Sequence, residues 1–304
     1  MGKLIDGKWV PSSVITSASD GSYDRVPRSF LDTISAQNKT FKPEKNRYHL
    51  YVSYACPWAH RTLIFRKLKN LEDIISCSVV SPEMLDDGWV FDSAYPGATK
   101  DHILGKNFLR EVYQSVDPSI STTVTVPILF DKKLNRIVNN ESSQIIRIFN
   151  NCFNDITGCK EDFYPKEHRV EIDKINTLVY ENINNGVYKT GFSKNQNVYE
   201  DSCRKLFDAL DRVDEILDGN DYLVGDVLTE ADLRLIPTLI RFDPVYFIHF
   251  KCSIKRICDY KNLSKYLEKM LKIDAIQSTI NINHIKRHYY FSHRDLNPFG
   301  LVPL

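Results

Sequence analysis

The sequence lacks a charge excess of either sign: 40 Lys and Arg stand against 39 Asp and Glu, a formal charge of +1. A chain built mainly for nucleic acid or an anionic membrane surface would carry a basic surplus, so neither is expected as a partner. It also lacks a long apolar run. Nothing approaches the roughly 18 consecutive apolar residues of a membrane span, and MGKLIDGKWVPSS holds no stretch suited to a signal peptide. Asp6 stands where a myristoylation motif requires Ser or Thr. A disulfide framework is missing too. The seven cysteines, at 56, 77, 152, 159, 203, 252 and 258, are odd in number and widely scattered, so the expected compartment is reducing and cytosolic. No Gly-rich phosphate loop appears. His249, Cys252 and Cys258 lack the paired spacing of a zinc site, and no metal is expected. What is present is ordinary folded-protein composition, 42% hydrophobic and 26% charged, in 304 residues that suit one or two domains.

Residues 1–45 show no sustained periodicity and read as an extension laid over something larger. In RYHLYVSYA, Tyr48, Leu50, Val52 and Tyr54 share one side of a period-two pattern, which predicts a strand. Pro57 halts it and suits the first position of a helix whose stripe is Leu63, Ile64, Leu68 and Leu71. The β-branched segment 74–82 supplies a second strand, completing a βαβ unit with parallel pairing. A helix at 106–114, two strands around a turn at 131–135, and a helix at 139–150 with Asn140 as N-cap follow. From Tyr164 onward the spacing is near 3.6, so the second half reads as all-helical. Thr229 to Asp232 has the form of a capping box. The expected domains are an α/β domain with a mixed sheet over 46–155 and an all-α domain over 164–304.

Three positions carry chemistry. Cys56 lies where a strand ends and a helix begins. Unpaired N–H groups and the positive end of the helix dipole there stabilise a thiolate, with His60 and Arg61 adding to the effect if they point toward it. The alternative is a small buried hydrophobe. Ala59, three residues on, rules out a C-x-x-C disulfide, so an oxidised intermediate must be resolved by another thiol, glutathione being the abundant cytosolic one. Val126-Pro127, at a strand start, marks either a cis bond that offers backbone groups to a ligand or an ordinary edge-strand proline. Glu141-Ser142 is a helix start able to receive a carboxylate and an ammonium, or simply a good helix start.

At these residues the chain resembles the thioredoxin-fold glutathione transferases, and more narrowly the glutathionyl-hydroquinone reductases, or Xi class. The resemblance rests on YVSYACPWAHRTLI (51–64), VTVPILFDKK (124–133), IVNNESSQIIRIFN (137–150), NNGVYKTGF (184–192), LTEADLRLIPTLIRFDPVYFIHFKC (228–252) and HYYFSHRDLNP (288–298). It implies a thioredoxin-like N-terminal domain with a four-stranded sheet, followed by the all-α domain of a glutathione transferase. It implies Cys56 as nucleophile, Trp89 over bound glutathione, and Arg110 reaching the glycine carboxylate with its planar fork. Val126, followed by Pro127, would pair its backbone with the cysteinyl moiety. Glu141 and Ser142 would hold the γ-glutamyl end. Tyr188, Tyr246 and Tyr289 resemble the tyrosines of the hydroquinone pocket, although a tyrosine in a helical domain more often packs as core.

The expected activity is reduction of S-glutathionyl-hydroquinones through a Cys56–glutathione mixed disulfide, with glutathione as co-substrate, and the resemblance implies a homodimer. An omega-like thioltransferase or dehydroascorbate reductase shares the single-thiol logic without a quinol pocket. A non-catalytic glutathione-binding module is the alternative from another class.

Overall fold

The computed structural model describes residues 2–11, 18–23 and 25–304. The chain divides into two compact units. One holds the N-terminal hairpin, Val26–Glu161 and Thr279–Leu304. The other holds Asp162–Ser278 with the stretch around Tyr23 and Arg25.

In the first unit, β1 (Gly2–Ile5) and β2 (Lys8–Pro11) form a hairpin. They are followed by β3 (Tyr48–Val52), α1 (Pro57–Leu68), β4 (Ser76–Val79), α2 (Leu109–Val116) and β5 (Thr122–Thr123). Next come β6 (Ile128–Asp131), β7 (Arg136–Asn139), α3 (Ser142–Asn151) and α4 (Asn154–Thr157). The main sheet runs β4-β3-β6-β7, with β3 parallel to β4 and the other pairs antiparallel. This is the expected mixed four-stranded sheet, and β3-α1-β4 is the expected βαβ unit. Every residue of β3 is buried, so both faces of that strand are covered and its period-two pattern does not mark a solvent side. Buried Arg47 pairs with buried Asp131 across β3 and β6, and the second Asp131 oxygen accepts the N–H groups of Lys133 and Leu134. One carboxylate thereby ends β6 and shapes the turn into β7. Helix α1 packs on α3, and Leu63, Ile64 and Phe65 of the first and Ile145, Ile146 and Phe149 of the second are buried.

The second unit is helical: α5 (Arg169–Val179), α6 (Gly186–Gly191), α7 (Gln196–Ile216), α8 (Glu230–Arg241), α9 (Phe247–His249), α10 (Lys261–Met270) and α11 (Asp274–Gln277). Thr229 caps α8, and the Asp232 carboxylate reaches back to the Thr229 N–H at 2.9 Å, closing the expected capping box. Cys203, Leu206, Leu210 and Val213 line the buried stripe of α7. Helix α12 (Ile282–Lys286) belongs to the first unit.

Residues 2–11, within the stretch expected as an extension laid over something larger, form a hairpin: Asp6 and Gly7, at φ of 47° and 72°, make its tight turn, and its β1 also pairs with β5. The structure corrects two expectations. The helical domain does not run to 304, because Thr279–Leu304 gathers onto the α/β unit. There His284 Nε2 meets the Pro96 carbonyl at 2.7 Å, and Ser292 Oγ accepts from the Met84 N–H at 3.0 Å. The N-cap of α3 is Glu141 and not Asn140. Asn140 is drawn away: its Oδ1 accepts from the Phe30 N–H and its amide donates to the Tyr113 hydroxyl.

Candidate active site

Cys56 is the N-cap residue of α1, in extended conformation, with Pro57 at the first helical position. The chain turns sharply here because the Cys56 N–H donates to the Ser53 carbonyl at 3.2 Å and its own carbonyl starts the helix by accepting from the His60 N–H at 3.0 Å. The thiol makes no capping bond to α1. Its Sγ, half-buried, lies 3.7 Å from the Val126 carbonyl oxygen. The Val126–Pro127 peptide bond is cis, the first of the two readings of that dipeptide. Just before it, the Tyr113 hydroxyl donates to the Thr125 carbonyl at 2.9 Å and the Asn140 amide donates to that hydroxyl at 3.3 Å. This chain ties the approach to Val126 to the entrance of α3. Thr125 Oγ1 is buried without a hydrogen-bond partner beside Val126.

Glu141 turns its carboxylate onto α3, accepting from the Ser143 N–H and hydroxyl at 2.9 Å each. Ser142 is buried, and Arg61 reaches its hydroxyl from α1 with an Nη1–Oγ distance of 3.5 Å. The Arg61 guanidinium also lies 4.5 Å from the centre of the Trp58 ring. A buried cation therefore bridges the helix that carries the thiol and the helix start expected to receive a carboxylate. The His60 ring is held by its Nε2, bonded to Thr279 Oγ1 at 3.0 Å.

Trp89 is 6% exposed and stacks on His288, with ring centres 4.8 Å apart and planes inclined by 20°. The His288 Nδ1 bonds the Pro82 carbonyl at 3.0 Å, which fixes the ring under the indole. Arg110 is bound to the loop before Trp89. It donates to the Asp87 carbonyl, pairs with the Asp87 carboxylate at 3.0 Å, and lies 3.8 Å and 5.2 Å from the centres of the Phe108 and Trp9 rings.

The three tyrosines share a local feature. Each lies in or beside a π-helical turn: Tyr180–Asn184 just ahead of Tyr188, Phe242–Tyr246 ending on Tyr246, and Arg287–Phe291 around Tyr289. Such turns are costly and recur at functional sites. Tyr188 and Tyr246 are brought together in the helical unit, rings 6.1 Å apart. Tyr246 is fully buried and stacks on Phe250 at 5.3 Å, so it forms the wall behind Tyr188. Tyr289 belongs to the α/β unit, packed against His288 and His293 at 5.3 and 5.2 Å. Its neighbour Tyr290 has its phenol pushed up to about 12 by burial.

Sequence reasoning missed Trp9, Tyr113 and the direction of Arg61. Asp6-Gly7 between short alternating segments is the signal that marks the Trp9 hairpin. Nothing local marks Tyr113, whose partners lie 12 and 27 residues away. Among the described residues, no group of three or more His, Cys, Asp or Glu side chains is gathered as a metal site, and no helix is long and apolar enough to cross a membrane.

Residues 55–152 match the family model "Glutathione S-transferase, N-terminal domain", and residues 196–269 match "Glutathione S-transferase, C-terminal domain". Glutathionyl-hydroquinone reductase PcpF of Sphingobium chlorophenolicum is 48% identical, covering 100% of this chain and 96% of that protein. Glutathionyl-hydroquinone reductase YqjG of Escherichia coli is 46% identical, covering 100% and 95%. Among solved structures, the glutathione transferase Xi of Phanerochaete chrysosporium superposes with a TM-score of 0.93 at 48% identity, covering 95% of this chain and 94% of that one. The glutathione-bound structure of YqjG does so with 0.90 at 45% identity, covering 100% and 95%. With relatives 46% and 48% identical over 100% of this chain, both glutathione transferase domains matched and the same fold in the Xi transferase of Phanerochaete chrysosporium, the chain belongs to the glutathionyl-hydroquinone reductases, the Xi class of glutathione transferases.

Proposed function

We propose that the protein reduces S-glutathionyl-hydroquinones to hydroquinones with glutathione, through a single nucleophilic thiol. The observation that carries the reading is the placement of Cys56 Sγ at the start of α1, 3.7 Å from the Val126 carbonyl, with Ala59 and not a second cysteine one turn on. The Cys56 thiolate attacks the sulfur of the conjugate. The ring carbon–sulfur bond breaks, its electron pair stays with the ring carbon, and that carbon takes a proton. A second glutathione thiolate then attacks the Cys56–glutathione disulfide, releasing oxidised glutathione and regenerating Cys56. Backbone groups of Val126, ahead of Pro127, hold the peptide as an added strand, while Glu141 and Ser142 receive its γ-glutamyl end and Trp89 covers it. Arg61, already on Ser142, adds the positive charge that a γ-glutamyl carboxylate requires.

Tyr188 and Tyr289 are assigned to the quinol, where a phenol O–H can hydrogen-bond a ring oxygen and assist the protonation. Tyr246 backs Tyr188. The setting is a reducing one, cytosolic, and the working form is a homodimer.

The test is glutathione-dependent turnover of glutathionyl-menadiol beside that of a simple glutathione mixed disulfide. Cys56→Ser should abolish both. Tyr188→Phe or Tyr289→Phe should slow quinol turnover by about tenfold or more while leaving disulfide reduction nearly intact. Equal losses on both substrates would reduce the tyrosines to structural residues. Turnover of the disulfide alone by the unaltered protein would favour the omega-like thioltransferase.

A further inference from the structure

The β1–β2 hairpin touches both segments that lead into the proposed glutathione contacts. On one side its turn is tied to the chain before Val126. The Gly7 N–H donates to the Ile120 carbonyl at 3.0 Å, the Asp6 N–H donates to Ser121 Oγ at 2.8 Å, and β1 pairs Lys3 with Thr123 and Leu4 with Thr122. On the other side Trp9 closes over the loop that leads into Trp89. Its indole N–H donates to the Asp86 carbonyl at 2.8 Å, and its ring covers Gly88 so closely that a Cβ there would stand 2.8 Å from the indole. Gly88 has a φ of +71°, so both its conformation and its lack of a side chain are used. Arg110 lies between the Trp9 and Phe108 rings and holds Asp87 by backbone and side chain. The residue that follows Gly88 is Trp89, whose carbonyl accepts from the Leu109 N–H at 2.9 Å and whose ring rests on His288.

We propose that the N-terminal hairpin is a working part of the glutathione site, with Trp9 a positioning residue that sets Trp89 through residues 86–88 and with Arg110 part of the same clamp. The proposal rests on the reading that Trp89 meets glutathione. Physically, a loop held by the indole N–H bond, by the Arg110 hydrogen bond and ion pair to Asp87, and by two ring faces keeps Trp89 in a single orientation before glutathione arrives. Without the Trp9 ring, part of the binding energy must be used to order it. The consequence is a loss in affinity for the peptide with the chemistry at Cys56 unaltered.

The experiment is calorimetric titration of glutathione into the full chain carrying Cys56→Ser, which binds without forming a disulfide. Trp9→Ala in that background should raise the Kd by about tenfold, and Trp9→Phe, which keeps a ring over Gly88, by only about two- to threefold. Gly88→Ala, which pushes the indole away while leaving the hairpin sequence intact, should match Trp9→Ala and carries the test if that variant folds poorly. With Cys56 restored, Trp9→Ala should raise KM for glutathione while kcat at saturation stays within about twofold. Unaltered Kd in Trp9→Ala and Gly88→Ala, beside a weakened Trp89→Ala, overturns the clamp and leaves the site reading standing. Unaltered Kd in Trp89→Ala removes the reading of Trp89, and the clamp with it.

Discussion

Of the seven thiols, Cys77 and Cys152 are both pushed up to about 11 by burial. Cys203 and Cys252 are raised by burial as well. Exposed Cys258 is raised by desolvation and then by the neighbouring Asp243 carboxylate. A thiol at about 11 is thiolate in only about one molecule in several thousand at pH 7.5. Cys56 differs in setting: it is half-buried, at a helix entrance. Brief treatment with iodoacetamide at pH 7.5 should therefore label Cys56 first, and mass spectrometry of the Cys56→Ser chain should show almost no label at Cys77 or Cys152. Equally fast labelling of the variant would remove the distinction among the thiols. The residue scale is also where sequence reading reached furthest and then stopped. The proposed nucleophile follows from its neighbours, whereas the partners of His60 and Arg61 lie 219 and 81 residues away and cannot be inferred from PWAHR.

At the scale of elements, the clearest case is the entrance of α8. Asp232 is fully buried and accepts four hydrogen bonds: from the Thr229 N–H and hydroxyl, from the Leu223 N–H, and from the Tyr266 hydroxyl. Two of those donors belong to the capping box and were legible in LTEAD, because a cap acts within three residues. The other two join α8 to the α7–α8 loop and to α10. Asp232→Ala loses the cap and strands buried donors, so unfolding by urea should show a destabilisation of about 2–4 kcal/mol. A loss under about 1 kcal/mol, the size of a cap alone, would mean that water replaces the carboxylate. The β1–β2 hairpin shows the opposite balance: its Asp-Gly turn was written locally, but two four-residue strands carry too little periodicity to stand out.

For the whole molecule, stability should depend on pH through histidines that each unit buries neutral. His49 lies between the Ser76 and Ser78 hydroxyls at 2.7 and 3.0 Å, and burial lowers its pKa to about 3; His249 in the helical unit is lowered to about 4, again by burial. Between the ordinary value of 6.5 and these folded values, the unfolded chain binds protons that the folded chain does not. Stability is thus fully present above about pH 6.5 and falls as the pH drops toward 4 and 3, by at most about 1.4 kcal/mol per pH unit for each group. Urea midpoints measured from pH 7 down to 4.5 should fall, and His49→Gln should flatten that slope by roughly half while lowering the neutral-pH value. An unchanged slope in His49→Gln would place the acid sensitivity elsewhere.

What the sequence by itself determined were the features whose physics is local: the thiol at a strand-to-helix junction, the βαβ unit, the start of α8, and the periodicity that separates an α/β half from a helical one. Tertiary structure decided what depends on pairs far apart in the chain. It folded Thr279–Leu304 back onto the α/β unit, through contacts such as His284 to Pro96 across 188 residues. It turned Arg61 to Ser142 and Arg110 to Asp87, and it paired the hairpin of residues 2–11 with β5 and laid it over Gly88. A long side chain such as arginine carries several donors and many rotamers, so its sequence position limits where it can reach without naming its partner. The partner is selected only when burial brings one acceptor within about 3 Å and excludes the rest.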